Sequence, residues 1–239
     1  MTSPSPLLYD TYYHIYNRGV NGEDIFVEDR NYDLFLRLLE RHLTPVADLF
    51  AYCLLRNHFH LSVRIKSEGE ILETRKTLRV SSNDPVKILK VSTPKTRHDV
   101  QEACPEPDDR SPGKPLGFET YASRQFSNFF NAYAKTINKA YGRTGSLFQH
   151  PFGRVLITTD RQFWNVIAYI HQNPQKHGFV RDFRDWKYSS YGIIPTANPS
   201  LLNRQATIKW FGTKEEYLSL HSQWVTDARA KWVMGEDFD

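Results

Sequence analysis

The 239-residue sequence has little cysteine and no long hydrophobic run. Its two cysteines, Cys53 and Cys104, are too few and too far apart for a disulfide framework or a zinc ribbon. No apolar stretch approaches the roughly 20 residues that a membrane-spanning helix needs, and the first residues lack the basic and apolar regions of a secretory signal. We therefore expect a cytoplasmic protein with no membrane partner.

Aromatic residues are abundant instead, with 15 Phe, 13 Tyr and 5 Trp. A chain of this length and composition can bury a substantial core, which predicts one folded domain rather than a disordered chain. We place this domain at residues 8–191, with an irregular insertion at about 71–117 that is polar and rich in proline. Residues 192–239 form a C-terminal extension.

Positive charge is concentrated in one part of the sequence. Residues 121–180 hold seven Lys or Arg residues against a single acid, Asp160, whereas the whole chain has a net charge of only +4. Local positive charge of this kind is typical of proteins that bind a phosphate backbone. A solvated basic face explains the charge equally well when charge is considered alone.

The periodicity of apolar residues predicts alternating strands and helices. Strands are predicted at residues 12–17, 49–55, 59–65 and 154–157. Helices are predicted at 31–42, from an N-cap at Ser123 to a stop at Gly142, and from a cap at Asp160 to about residue 172. This order of elements indicates an α+β fold, an antiparallel sheet with helices packed on one face.

Two histidines alternate with a phenylalanine at the start of the third predicted strand. Side chains at positions i and i+2 of a strand project from the same face, so His58 and His60 point together while Phe59 turns into the core. Two convergent imidazoles are half of a site for a divalent metal. Taken alone, the pattern more often marks a structural pair in a half-buried strand.

The last predicted helix offers further polar groups at a helical spacing. Tyr169 and Asn173 are one turn apart, so a phenol and a carboxamide project in the same direction. Pro174 disfavours helical geometry at Asn173, which we therefore place at a fraying helix end. Without context, a boundary tyrosine and a terminal asparagine cap are the favoured explanation of the pair.

Four segments, in this order, resemble a known family. They are residues 12–19 (YYHIYNRG), 57–61 (NHFHL), 141–149 (YGRTGSLFQ) and 169–174 (YIHQNP). Together they resemble the REP-associated tyrosine transposases and the insertion-sequence-200-like transposases, members of the single-tyrosine HUH superfamily. The resemblance covers most of residues 8–191 apart from the insertion.

The resemblance implies a fold, a reaction and a set of site residues. It implies a ferredoxin-like sheet, with His58 and His60 as metal ligands and Tyr169 as the nucleophile. Asn173 matches the third ligand, and His171 is its rival. The implied reaction is metal-dependent cleavage and transfer of single-stranded or hairpin DNA through a 5′-phosphotyrosine, with Mg²⁺ or Mn²⁺ as cofactor. Relatives include monomers and homodimers that share active sites.

Polar residues between positions 124 and 154 are candidates for DNA contacts. The predicted DNA-binding residues are Arg124, Asn131, Lys135, Lys139, Arg143 and Arg154. Three aromatics among them, Tyr141, Phe148 and Phe152, either stack on bases or belong to the core.

Two other functions remain open at this stage. One is a non-catalytic hairpin DNA-binding protein derived from a transposase, against which the intact His58, His60, Tyr169 and Asn173 argue. The other is an RNA-binding or RNA-cleaving protein, since a basic sheet-and-helix domain binds either polymer.

Overall fold

The computed structural model describes the backbone of residues 6–83 and 118–223, and the side chains of 6–77 and 121–223. Its centre is a four-stranded sheet of β1 (Tyr12–Arg18), β2 (Ala47–Leu54), β3 (His58–Ile65) and β4 (Gly153–Ile157). The strands lie in the order β2-β3-β1-β4, and each neighbouring pair is antiparallel. A short connection at residues 55–57 joins β2 to β3.

Two long helices cross over between the strands. Helix α1 (Asp29–Leu43) connects β1 to β2, and helix α3 (Phe118–Ala140) precedes β4. The resulting order, strand-helix-strand-strand-helix-strand with β1 and β3 in the middle of the sheet, is the ferredoxin-like arrangement. The predicted α+β fold class is therefore confirmed.

The insertion predicted as irregular begins with a helix. Helix α2 (Glu68–Asn83) covers its first part, and residues 84–117 lie outside the described residues. Helix α3 also begins earlier than predicted, at Phe118, so Ser123 does not cap it. The Ser123 hydroxyl instead accepts a hydrogen bond from the Leu7 backbone N–H at 3.3 Å, which ties the N-terminal segment to α3.

The two faces of the sheet differ in chemistry because side chains alternate along β3. Phe59 is fully buried between helices α1 and α3, with its ring centroid 4.9 Å from that of Phe35 and 5.7 Å from that of Phe130. His58 and His60 have the opposite parity and lie on the other face. The aromatic core thus fixes the direction of the histidine pair.

A second helical layer covers the histidine face of the sheet. This layer was not part of the prediction, which placed helices on one face only. Helix α4 (Asp160–Lys176) packs there, with the Phe163 ring 5.4 Å from Phe50 and 5.7 Å from Tyr12. Its N-cap is Thr159, not Asp160 as predicted, because the Thr159 hydroxyl accepts from the Gln162 backbone N–H.

Helix α4 also continues past the proline that was expected to end it. Pro174 lies inside the helix, and the His177 N–H still donates to the Asn173 carbonyl at 3.0 Å. Asn173 is fully buried within the helix. The prediction that Asn173 lies at a fraying end is wrong, because the helix extends one more turn.

The C-terminal extension packs onto this same layer as far as it is described. The extension contains helices α5 (Arg204–Phe211) and α6 (Lys214–Ser222). Two short 3₁₀ turns lie earlier in the described chain, Val20–Gly22 after β1 and Phe183–Asp185 after α4. The Thr207 hydroxyl reaches the Phe50 carbonyl at 3.3 Å, and the Trp164 indole N–H donates to the Trp210 carbonyl at 2.8 Å. Residues up to 223 therefore share the core of the predicted 8–191 domain.

Among the described residues, no helix combines the length and the apolar character needed to cross a bilayer.

Candidate functional site

The histidine pair lies where β3 begins, directly after the tight turn from β2. The Gly19 backbone N–H donates to the Asn57 carbonyl at 2.8 Å, which holds this turn against the end of β1. His58 is 6% exposed and His60 is fully buried. Their ring centroids are 5.1 Å apart and their planes are nearly perpendicular, at 87°. Both rings therefore point into the space between the sheet and α4.

Helix α4 brings Asn173 to this pair. His58 Nε2 lies 3.2 Å from Asn173 Oδ1, across 115 residues of sequence. The rival His171 lies elsewhere: its Nε2 contacts the Ser190 hydroxyl at 2.8 Å, and its Nδ1 contacts His221 Nε2 at 2.7 Å. The structure thus places Asn173, and not His171, beside the histidine pair.

The contacts of His58 fit a bound cation. His58 Nδ1 lies 2.7 Å from Asn57 Oδ1, so each of its ring nitrogens faces an amide oxygen. A neutral imidazole has only one N–H to donate. When Nδ1 holds this hydrogen and donates it to Asn57 Oδ1, the lone pairs of His58 Nε2 and Asn173 Oδ1 face each other. Adjacent ligand atoms on a cation with bonds of about 2.1 Å lie about 3 Å apart, which is close to this separation.

The Asn173 amide group gives a second indication. Its Nδ2 is buried and has no hydrogen-bond partner within the described part of the chain. Within the same residues, no group of three or more His, Cys, Asp or Glu side chains is arranged to hold a metal ion. The side chains that the structure brings together here are two imidazoles and one carboxamide, and their role as metal ligands stays a prediction.

Burial keeps the histidines in the form that binds metals. The pKa of His58 is lowered to about 4, and loss of solvent is the largest cause. The contact with Asn173 acts to raise this pKa, and the charges of His177 and Arg18 add to the lowering. Burial also lowers the pKa of His60 well below its ordinary value. Neutral imidazoles with an available lone pair are the expected state at neutral pH.

Tyr169 lies beside the same rings. Its side chain is 5% exposed, and its ring centroid is 5.6 Å from that of His60 and 6.0 Å from that of His14. The Lys176 ammonium lies 5.4 Å from the Tyr169 ring centroid. The phenol, the two histidines and the carboxamide thus occupy one region between β3 and α4.

The predicted DNA contacts on α3 lie on the other side of the sheet. Arg124, Asn131, Lys135 and Lys139 are all exposed on this helix. Helix α3 packs on the Phe59 face, whereas the histidines occupy the opposite face. Their role as DNA ligands remains a prediction, but the structure does not bring them to the candidate site.

The remaining predicted contacts are tied to other groups. Arg143 forms an ion pair with Glu23 at 2.5 Å, and the Arg154 guanidinium lies 4.1 Å from the centroid of the Phe152 ring. Phe148 is 2% exposed and packs against Phe59, so it belongs to the core and is not positioned to stack on a base. These partners reduce what Arg143 and Phe148 can offer to DNA.

Four residues at the site were missed by the sequence reasoning: His14, Arg18, Lys176 and His177. His14 is fully buried, with its Nε2 3.0 Å from His60 Nδ1. The His177 ring lies 4.9 Å from that of His58. A signal for them exists in the sequence, since His14 and Arg18 alternate along β1, and Lys176 and His177 lie about two turns after Tyr169.

Comparison with known proteins identifies one curated relative. A protein of Haemophilus influenzae named as a REP-associated tyrosine transposase is 33% identical over 87 residues, which are 36% of this chain and 48% of the relative. The chain is similar to REP-associated tyrosine transposases. This similarity confirms the resemblance drawn from the four sequence segments. The match spans about half of the relative's length, and no family model matches the chain.

A solved structure shows a weaker likeness. It is described as a REP-associated tyrosine transposase bound to a REP hairpin, and it aligns with a TM-score of 0.48 at 15% identity. The alignment covers 81% of this chain and 84% of the other. At this TM-score the likeness does not by itself establish a shared fold.

Proposed function

We propose that the protein is a metal-dependent endonuclease and strand transferase for single-stranded DNA at hairpin-associated sites. The observation that carries this proposal is the contact between His58 Nε2 and Asn173 Oδ1 at 3.2 Å, with Tyr169 one helical turn before Asn173. Two distant segments, the start of β3 and the end of α4, would supply the donor set for a cation and the nucleophile next to it. The similarity to a transposase named for its tyrosine supports the same reaction.

His58, His60 and Asn173 would hold the metal. Two nitrogen ligands and one carboxamide oxygen suit Mn²⁺, and Mg²⁺ is the alternative when water completes the shell. A divalent cation at this position would polarise a phosphoryl oxygen and neutralise charge that develops during phosphoryl transfer. His60 uses Nδ1 toward His14, so Nε2 is the nitrogen that would face the metal.

Tyr169 supplies the nucleophile. Its phenolic oxygen attacks the phosphorus, the bond from phosphorus to the 3′-oxygen breaks, and a 5′-phosphotyrosine forms. The phenol loses its proton, and the departing 3′-oxygen gains one to become a free hydroxyl. Because the phosphotyrosine retains the energy of the phosphodiester, a 3′-hydroxyl can later reverse the attack and join strands. Hydrolysis by water would lose that capacity.

A non-catalytic hairpin DNA-binding protein is the second candidate. One observation favours it: Tyr169 is only 5% exposed, so little of the phenol reaches solvent. In that case the fold and a DNA-binding surface would be retained without strand cleavage.

The deciding experiment is a test for a covalent adduct. The protein is incubated with Mn²⁺ and labelled hairpin DNA that carries a single-stranded extension, and adducts are resolved on a denaturing gel. We expect an adduct with the wild type and with the matched control Tyr121→Phe, whose residue lies on α3, but none with Tyr169→Phe. Binding without any adduct would support the second candidate. A preference for the same hairpin made of RNA would contradict both.

A further inference from the structure

Two cationic side chains, Arg18 and Lys176, lie near the candidate site. Arg18 is the last residue of β1 and is the direct partner of His58 in the sheet register. Residues directly opposite each other in antiparallel strands project from the same face, so Arg18 lies on the histidine face. Lys176 lies in the last turn of α4, with its ammonium 5.4 Å from the centroid of the Tyr169 ring.

We propose that Arg18 and Lys176 form a phosphate clamp that holds the scissile phosphodiester of the DNA between Tyr169 and the histidine pair. The inference rests on the proposed function, since it names the residues that hold the substrate at that site. Its ligand class is a phosphodiester monoanion. Two cations from different structural elements can contact its two non-bridging oxygens from different directions.

The position of Lys176 follows from the helix. Lys176 comes seven residues after Tyr169, which is close to two full turns, so both side chains lie on the same side of α4. Lys176 is exposed, so its ammonium can leave the ring and contact a phosphate. An ammonium at the nucleophile's ring is correctly placed to bind the group that the phenol attacks.

The position of Arg18 follows from the sheet. The strand ends at this residue, and the chain then turns through Val20–Gly22, so the half-buried guanidinium lies at the open edge of the site. A planar guanidinium binds two phosphate oxygens in a fork, which orients the group as well as neutralising it. Arg18 and Lys176 thus differ in role: one fixes orientation and the other supplies charge near the phenol.

The electrostatics of the site favour an anion. The charges of Arg18 and Lys176 both lower the pKa of His177, after burial; that of Arg18 also acts on His58, and that of Lys176 on His60. Apart from neighbouring histidines, the charged groups that shift the pKa values of these three histidines are Arg18 and Lys176, and no carboxylate of the described residues is among them. A phosphate entering this region would be attracted by both cations.

The clamp residues and the exposed basic face of α3 lie on opposite sides of the sheet. Lys135 and Lys139 lie beyond the sheet and cannot reach a phosphate at Tyr169. Contacts on α3 would bind DNA further along the strand or in the hairpin. Arg18 and Lys176, in contrast, lie on the histidine face, where the phosphodiester would be cut.

The first test measures the single-turnover rate of adduct formation at saturating hairpin DNA. We expect Arg18→Met and Lys176→Met each to lower this rate by about 100- to 1,000-fold, as the loss of one preorganised oxyanion-hole donor does in acyl-transfer enzymes. Lys176→Arg should recover part of the rate because it restores the charge. The matched control is Lys209→Met on α5, which makes the same charge change away from the site and should keep the wild-type rate.

The second test needs no chemistry, so its outcome is independent of the proposed reaction. In the Tyr169→Phe background, binding is compared between DNA with a normal scissile phosphodiester and DNA with a neutral methylphosphonate at that position. We expect the neutral linkage to weaken binding by about tenfold in this background and by much less when Lys176→Met is added, because the two changes remove the same contact.

The outcomes separate the two proposals. If the wild type forms no adduct but the coupling between Lys176 and the scissile charge is present, the proposed reaction fails and the clamp stands. If adducts form, if Lys176→Met and Arg18→Met keep the wild-type rate as Lys209→Met does, and if Lys176→Met leaves the effect of the neutral linkage unchanged, the clamp is overturned and the proposed function stands. Thermal unfolding of each variant checks that the substituted proteins remain folded.

Discussion

His14 Nε2 lies 3.0 Å from His60 Nδ1, and the two buried rings are stacked with 28° between their planes. This contact has a consequence for metal binding. If His60 binds a cation through Nε2, its proton must be on Nδ1, and His14 Nε2 must accept the hydrogen bond. His14 would then fix both the tautomer and the orientation of a metal ligand, as residues behind metal-binding histidines commonly do.

We therefore predict that His14→Leu weakens Mn²⁺ binding by about 10- to 100-fold without removing any ligand. His14→Gln should lose less, since its amide oxygen can accept from His60. The free Mn²⁺ remaining during a titration, measured by electron paramagnetic resonance, gives the affinity. Tyr13→Leu is the matched control, a buried aromatic of the same strand that faces away from the site. Wild-type affinity in His14→Leu would contradict the positioning role.

Removing a metal ligand should separate cleavage from DNA binding. We predict that His58→Ala abolishes adduct formation and largely preserves affinity for hairpin DNA, because a neutral buried imidazole contributes little to phosphate binding. Chelation of the metal from the wild type should have the same effect. The measurements are the denaturing-gel assay and fluorescence anisotropy. Parallel loss of cleavage and binding would argue against a ligand role for His58.

Local sequence patterns predicted the parts of the site that lie on one element. The alternation of His58, Phe59 and His60 sets their faces, and helical spacing places Tyr169 and Asn173 together. Both relations depend only on the geometry of a single strand or helix. Their convergence came from the resemblance to a family, because no local pattern states which face of α4 meets which face of the sheet.

The residues that were missed depend on register and layer order. His14 meets His60 only because β1 pairs with β3 in the register that sets Tyr16 opposite His60. The exposed face of α3 was recognisable as basic from the sequence, but the side of the sheet on which α3 lies was not. The start of α3 was also misplaced, since Ser123 resembles an N-cap and serves instead as an acceptor for Leu7.

The exposed lysines of α3 remain candidates for contacts with DNA away from the cut. We predict that the double substitution Lys135→Gln with Lys139→Gln weakens hairpin binding and lowers the slope of log affinity against log salt by about 2. The rate of adduct formation at saturating DNA should not change, because both side chains lie across the sheet from Tyr169. Lys209→Gln with Lys214→Gln is the matched control. An unchanged salt slope would exclude α3 from the interface.

A second buried histidine pair joins the C-terminal helix to α4 and should make stability depend on pH. His221 Nδ1 donates to the Tyr217 carbonyl at 2.7 Å, so its Nε2 accepts from His171 Nδ1, also at 2.7 Å. The Ser190 hydroxyl, at 2.8 Å, can then donate to His171 Nε2. The network is complete when both imidazoles are neutral.

Protonation of this pair should favour the unfolded chain. Burial lowers the pKa of His221 to about 4 and that of His171 well below its ordinary value of 6.5. Because the folded-state pKa lies below the unfolded value, the stabilisation is present above pH 6.5 and is lost as the pH falls toward 4. For His221 alone the loss is roughly 3 kcal/mol in the free energy of unfolding.

We predict that the urea midpoint falls between pH 7 and pH 4.5, and that His221→Asn reduces this fall. Asparagine can still donate to the Tyr217 carbonyl but does not titrate, so the variant should be less stable at pH 7 and less sensitive to acid. Substituting the exposed His150 by Asn is the control and should keep the wild-type dependence. If His221→Asn lost as much stability on acidification as the wild type, His221 would not be a source of the pH dependence.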